Sequence, residues 1–263
     1  MTRAKDISKI LTDADLSGTL DVAGNLSVDG GTIKLDGNYP VGTGNVALGD
    51  TALDSNVSAN HNTAIGANAL TANTVSGNTG IGYQALNANS TGVENVAVGK
   101  WALLSNTTAS NNTAIGKSAL QVNTTGHSNV AIGKGSLDAN TTASANTAVG
   151  YNAMTENTTG SNNTAVGKDV LDANSTGSYN VAVGQSALGA NTTASNNTAV
   201  GYQAGLSNTT GFIDAFGHQS LDANTTGNFN VAFGATSLTS NTTGNSNSAF
   251  GRDALYSNTT GSN

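Results

Sequence analysis

The stretch Asn163-Thr164-Ala165-Val166-Gly167-Lys168-Asp169-Val170-Leu171-Asp172-Ala173-Asn174-Ser175-Thr176-Gly177-Ser178-Tyr179 is one copy of a 17-residue unit. The next copy opens at once with Asn180-Val181-Ala182-Val183-Gly184. Aligned on the glycine that follows the aliphatic residue, the units fall at Gly49, Gly66, Gly82, Gly99, Gly116, Gly133, Gly150, Gly167, Gly184, Gly201, Gly217, Gly234 and Gly251. The spacing is 17 except at Gly66–Gly82 and Gly201–Gly217, where one residue is missing. A fixed period of this length marks a chain that stacks copies of one supersecondary unit. The expectation is an all-β fold: a parallel β-solenoid or β-roll of about 13 coils, elongated like a fibre.

Four columns carry the pattern. The residue before each glycine is aliphatic from Leu48 to Val200 and then Phe216, Phe233 and Phe250. Four residues after the glycine stands leucine, or Met154 in one copy, and only Gly205 breaks the series. These two columns are read as the core. Seven residues after the glycine stands an invariant asparagine, as in Asn106, Asn123, Asn140, Asn157 and Asn174; a second asparagine column includes Asn62, Asn112, Asn163 and Asn197. Asparagine tolerates the left-handed conformation that corners require, and stacked amides can bond to copies above and below. Val166, Leu171 and Gly167, with the asparagines, are therefore assigned to a structural ladder. The copy containing Gly205 also holds the second deletion, with Asp214 expected in the usual asparagine place, which predicts one irregular coil.

Composition sets limits on function. Only 10% of the residues are charged and 5% aromatic, while much of the 37% hydrophobic fraction is alanine. A thick globular core cannot be built from that, but the regular Val or Ile column separates the chain from ordinary disorder. A net charge of −7 argues against nucleic acid as a partner. The chain has no cysteine, hence no disulfide framework or thiolate chemistry. It has no apolar run of membrane-spanning length, so no membrane insertion is expected. Each coil offers about two aliphatic side chains against 17 ordered backbone units, which is poor support for an isolated solenoid. Association of chains along their length, most simply as a homotrimer, would cover the remaining apolar surface.

The repeats occupy residues 42–263 as a shaft. Residues 1–16 differ: Ile7, Ile10 and Leu11 fall at i, i+3, i+4 and would form one apolar stripe on a short helix. They are read as a docking segment, against the simpler possibility of a frayed terminus. Residues 17–41 form a spacer of three short strands, with the pairs Leu20/Val22, Leu26/Val28 and Ile33/Leu35 bounded by turn residues.

Candidate chemistry is sparse. No catalytic residue, cofactor site or metal site is assigned: His61, His127 and His218 lie in different columns, and no carboxylate pair stands out. The chain is accordingly read as having no enzymatic activity. All five basic residues of the repeats share the place after the glycine, Lys100, Lys117, Lys134, Lys168 and Arg252, together with Tyr83, Tyr151, Tyr202 and His218. This column reads either as a solvated position that tolerates long side chains or as a stripe facing a glycan or an anion.

The motif Asn-Thr-Ala-Val-Gly-x-x-Ala-Leu-x-x-Asn-Thr-Thr-Gly, as in 163–177 and 197–211, resembles the repeat of bacteriophage tail-fibre proteins. The shorter Asn-Val-Ala-Val-Gly at 180–184 is similar to the head repeats of trimeric autotransporter adhesins, and residues 18–28 resemble β-rich shaft spacers of phage fibres. The resemblance implies a homotrimeric virion fibre assembled in the host cytoplasm. Its N-terminus would dock onto other tail or baseplate proteins. A host surface receptor would be met through a C-terminal region beyond this sequence, since the chain stops inside a repeat. A bacterial surface adhesin head and an ice-binding solenoid, the latter suggested by threonine pairs such as Thr107-Thr108 and Thr124-Thr125, are the competing expectations.

Overall fold

The structure is a computed structural model that describes residues 42–262. The proposed docking segment 1–16 and spacer 17–41 lie outside the described residues. Each unit contributes one short strand: β1 (Val46–Leu48), β2 (Thr63–Ile65), β3 (Thr79–Ile81), β4 (Val96–Val98), β5 (Thr113–Ile115), β6 (Val130–Ile132), β7 (Thr147–Val149), β8 (Thr164–Val166), β9 (Val181–Val183), β10 (Thr198–Val200), β11 (Ile213–Phe216), β12 (Asn230–Phe233) and β13 (Ser248–Phe250). They pair in sequence order into one parallel 13-stranded sheet. Like stacks on like: Thr164 pairs with Thr147 and Val181, and Val166 with Val149 and Val183. The chain is thus an all-β parallel solenoid. Twelve steps of ~4.8 Å place β1 and β13 roughly 60 Å apart.

The ladder continues around the coil. Val46 N donates to Asn62 O at 2.8 Å on the strand side, and Leu103 N to Ala119 O at 3.0 Å past the bend. Thr124 N donates to Thr141 O at 2.9 Å, and Ser128 N to Ser110 O at 3.1 Å. Each coil is therefore braced by its neighbours on several sides, as the backbone of a buried wall requires.

The interior is narrower than the sequence pattern suggests. The buried residues of a coil are the middle alanine of the strand, the alanine and leucine three and four places after the glycine, and the two asparagines, as in Ala165, Ala187, Leu188, Asn163 and Asn174. The aliphatic residue before the glycine, expected in the core, points outward: Val166 is 38% exposed and Phe233 57%. The reason is strand alternation. In a three-residue strand whose centre is a buried alanine, both flanking side chains must face the other way. Leu171, in contrast, is fully buried.

Corner chemistry also differs from expectation. The columnar asparagines do not take left-handed φ. That conformation falls instead on three other places: two after the glycine (Ser118, φ 59; Asp169, φ 50), on the leucine itself (Leu120, φ 51; Leu171, φ 48), and on the residue before the second asparagine (Asn111, φ 63; Tyr179, φ 61). A left-handed leucine costs about 1–2 kcal/mol, while its full burial returns about 1.5–3 kcal/mol. Burial wins. The turn swings the side chain inward, and the strain is tolerated in every copy that keeps leucine.

The bend glycine has no such freedom. Gly167 sits at φ 146 directly over the next copy's glycine, and a Cβ added to it would lie 2.6 Å from Gly184 O and 2.7 Å from Gly184 C. The glycine column is a stack of backbones at contact distance.

Candidate functional site

The two asparagine columns are buried, and each does a distinct job. In the first, the side-chain amide of Asn106 donates to Asn89 Oδ1 at 2.8 Å and to Ala109 O at 3.0 Å. Asn123 repeats this on Asn106 (3.0 Å), Asn140 on Asn123 (2.8 Å), Asn157 on Asn140 (3.1 Å) and Asn174 on Asn157 (2.9 Å). The result is an unbroken amide ladder along the interior. In the second column the side-chain oxygen receives the backbone N–H of the next copy: Asn112 Oδ1 accepts from Asn129 N at 2.9 Å, and Asn146 Oδ1 from Asn163 N at 2.9 Å. The Nδ2 of Asn129 reaches forward to Ala143 O at 2.9 Å. Buried polar atoms matched in this way are structural, and they leave no free donor or acceptor for a ligand.

The exception lies in the irregular coil. Asn197 Nδ2 is buried without a hydrogen-bond partner. The expected substitution of asparagine by Asp214 is not what occurs. The register pairs Asp214 with Thr198 on the strand, and Ile213 takes the asparagine's place opposite Asn230. Ile213 is fully buried, and its Cδ1 would lie 2.7 Å from a Cβ on Gly205. The isoleucine thus fills the volume that the missing leucine leaves. Sequence reasoning missed this exchange, although both departures sit in one copy and together were the signal for it.

Among the described residues, no group of three or more His, Cys, Asp or Glu side chains could hold a metal ion. Nor is any helix there long and apolar enough to cross a membrane. Ile7, Ile10 and Leu11 lie outside the described residues. What the solenoid presents is its exterior, in three long stripes.

The first stripe is the outer face of the sheet. It carries the Val/Ile/Phe column beside a column of Thr and Val, and Asp214 is its single charge among β1–β13. Toward one end the aliphatics give way to phenylalanines in tilted or stacked contact, with Phe216–Phe233 at 5.6 Å and Phe233–Phe250 at 6.5 Å between ring centroids. The second stripe is the place after the bend glycine. Here Lys100 Nζ lies 4.0 Å from the Trp101 ring centroid and 5.6 Å from that of Tyr83; Lys117 lies 5.6 Å from Trp101 and Lys134 5.1 Å from Tyr151. Further along, Tyr202 and His218 stack at 5.3 Å. Trp101, one place off the column, is the member that periodicity alone does not reveal.

The third stripe lies five and six places after the glycine and sets carboxylates such as Asp138, Glu156, Asp172 and Asp222 among neutral residues. Gln121, Val122, Asp138, Ala139, Thr155 and Glu156 line a shallow groove there. Partial burial pushes the Asp138 carboxyl above its ordinary value. Asp172 is raised by burial first and then by the neighbouring Asp169 and Glu156 charges, against the opposing effect of backbone hydrogen bonds. Asp222 is raised by burial, with His218 acting in the opposite direction. Compared with protein-family models, with curated proteins and with solved structures, the chain matches none of them.

Proposed function

We propose that the chain is the shaft of a homotrimeric virion fibre that holds a host-recognition tip away from the particle and takes part in attachment to the host cell. The observation that carries this reading is the uncovered outer face of the sheet. All-parallel sheets are almost always covered on both faces. Here one face packs on the chain's own Leu, Ala and Asn interior, while the other exposes an unbroken Leu/Val/Ile/Phe column beside a mostly Thr/Val column whose single charge along the thirteen strands is Asp214. A continuous exposed apolar band of that length is an interaction surface. The occupant that matches it step for step is a second copy of the same solenoid, and a closed cyclic trimer satisfies every copy without open-ended growth. Stacked, mutually braced coils suit a rod that must keep its length under load. Other tail or baseplate proteins would be its partners at the virion end.

Light scattering on the native chain, with negative-stain images of the same peak, tests this. Three chains of 26.0 kDa give about 78 kDa and a slender rod; a well-folded monomer overturns the trimer and the fibre built on it. Immunogold labelling that marks cell surfaces and leaves virions bare would move the protein to the adhesin reading.

Ice binding has a narrower foothold. The second threonine of each pair is exposed in a single file, Thr108, Thr125, Thr142 and Thr159. The first is tied inward: Thr124 Oγ1 donates to Thr141 O at 3.0 Å and Thr158 Oγ1 to Ser175 O at 3.0 Å. Monomeric mass together with thermal hysteresis would favour that reading.

A further inference from the structure

We propose that the side of the shaft carries a binding stripe for an acidic polysaccharide, running over six consecutive coils from Tyr83 to Lys168. This goes beyond the fibre reading and does not depend on it.

The place after the bend glycine reads Tyr83, Lys100, Lys117, Lys134, Tyr151 and Lys168 without interruption. No acid and no small residue falls among them. The copies on either side put Ala67 and Gln185 there. Four of the five cations of the repeats are thus concentrated in one line, in a chain of net charge −7. Lysines on adjacent coils are spaced by ~4.8 Å, at which like charges repel. A scatter driven by solubility alone would have separated them.

Three of the four lysines lie against rings, and the fourth, Lys168, against a carboxylate. Lys168 pairs with Asp169 at 3.3 Å and Arg252 with Asp253 at 3.4 Å. Lys100, Lys117 and Lys134 instead lie against Trp101, Tyr83 and Tyr151. A ring face attracts a cation without neutralising it, so the three charges remain available to an anion. The Trp101 ring is itself fixed, its Nε1 donating to Gln84 Oε1 of the preceding coil at 2.9 Å. Tyr83 and Tyr151 are exposed. The platform is therefore preformed, and little conformational freedom is lost on binding.

A line of cations interleaved with ring faces at a constant step matches one ligand chemistry well. An extended acidic polysaccharide presents one carboxylate or sulfate per sugar or per few sugars, with C–H faces of the sugar rings between them. The coil step is of the same order as the length of a sugar unit in such a chain. A polyphosphate strand would bring denser charge to an acidic protein that offers no arginine fork in this stretch. The stripe is long and shallow, so affinity would come from many weak contacts along one polymer.

The test uses the full chain and three probes: alginate, which is a linear polyuronate; dextran, which is a neutral polymer; and a single-stranded oligodeoxynucleotide. Binding is read by biolayer interferometry at low and at physiological salt. Alginate is expected to bind, with affinity falling as salt rises. The K100Q/K117Q/K134Q variant should bind it at least about tenfold more weakly, as loss of three surface cations facing an anionic surface implies. W101L should weaken it less, and R252Q not at all. Circular dichroism of each variant separates lost binding from lost fold. The proposal is overturned if alginate does not bind, if the triple variant binds it as well as the parent, if dextran binds equally, or if the oligonucleotide is preferred.

Discussion

The coil from Gly150 to Gly167 and the coil from Gly201 to Gly217 share the turn after the bend glycine but differ in their interiors, and the second, one residue shorter, has no left-handed residue where Asn162 stands in the first. In the first, Met154 takes the left-handed turn at φ 55 and is fully buried. In the second, Gly205 takes that turn at φ 60, contributes no side chain, and is compensated by Ile213 from the opposite column. The left-handed turn survives the exchange, and so does the filled volume. The amide satisfaction does not: Asn197 Nδ2 is left without a partner. The comparison ranks the constraints on a coil. The stacked bend is fixed, the interior volume is conserved in sum, and one amide bond can be given up.

The sharpest way to break that ranking is at the bend, where no copy varies. Gly167→Val would drive side-chain atoms into Gly184 O and C, both closer than 3 Å to the added Cβ alone. Neighbouring coils would be forced apart, and the expected loss exceeds about 4 kcal/mol in urea unfolding. Because the stack is held by nearest-neighbour contacts, the transition should also lose cooperativity. Gly251 is the control, since nothing lies within 4 Å of a Cβ added there; Gly251→Ala meets only the strain of its φ 116, about 1–3 kcal/mol. Equal losses at the two sites would show that conformation, and not stacking, fixes the column.

The middle of the ranking is tested by repairing the irregular coil. Gly205→Leu alone drives a side chain into Ile213 and should destabilise by about 1–3 kcal/mol. Ile213→Asn alone empties the space beside Gly205 and should cost about 2–5 kcal/mol. The double variant restores the column pattern of the other coils, so its loss should be far smaller than the sum, with a coupling of about 2 kcal/mol. Strictly additive losses would mean that the two residues do not share one volume.

These positions also show what could be read in advance. The period, the bend glycine and the coil path were legible because each repeats thirteen times. The direction of a side chain was harder to read. Val166 and Leu171 look alike as columns, and only the alternation around buried Ala165 sends the first outward and lets the second in. The asparagines were legible as corner residues, but their work turned out to be done by side-chain amides while left-handed φ falls on varied neighbours such as Asp169 and Tyr179. The exposed stripes follow from where each column faces, and the sequence period does not state facing. Trp101 joins the lysine stripe for the same reason: it is one place off in sequence and adjacent in space.

The smallest effect compares the two kinds of coil through their carboxylates. Asp138 and Asp172 lie in regular coils, and Asp222 belongs to the coil after the irregular one, its carbonyl bonded to Ser207 N. All three have folded-state values raised above the ordinary 3.8, with burial as the leading cause. A raised carboxyl binds its proton more readily in the folded chain than in the unfolded one. Its contribution to stability is therefore fully present below pH 3.8 and is lost as the pH rises through the raised value. Mild acidification from neutrality toward pH 4 should consequently raise the melting temperature contribution of these groups. Asp172→Asn should remove more of that pH dependence than Asp222→Asn, because Asp169 and Glu156 add to burial at the first site while His218 opposes it at the second. Melting curves of the parent and the two variants between pH 7 and pH 4 decide it. A parent-minus-variant melting temperature that falls, in signed terms, on acidification, or an equal effect at the two sites, would contradict the assignment of burial and neighbouring charge as the causes.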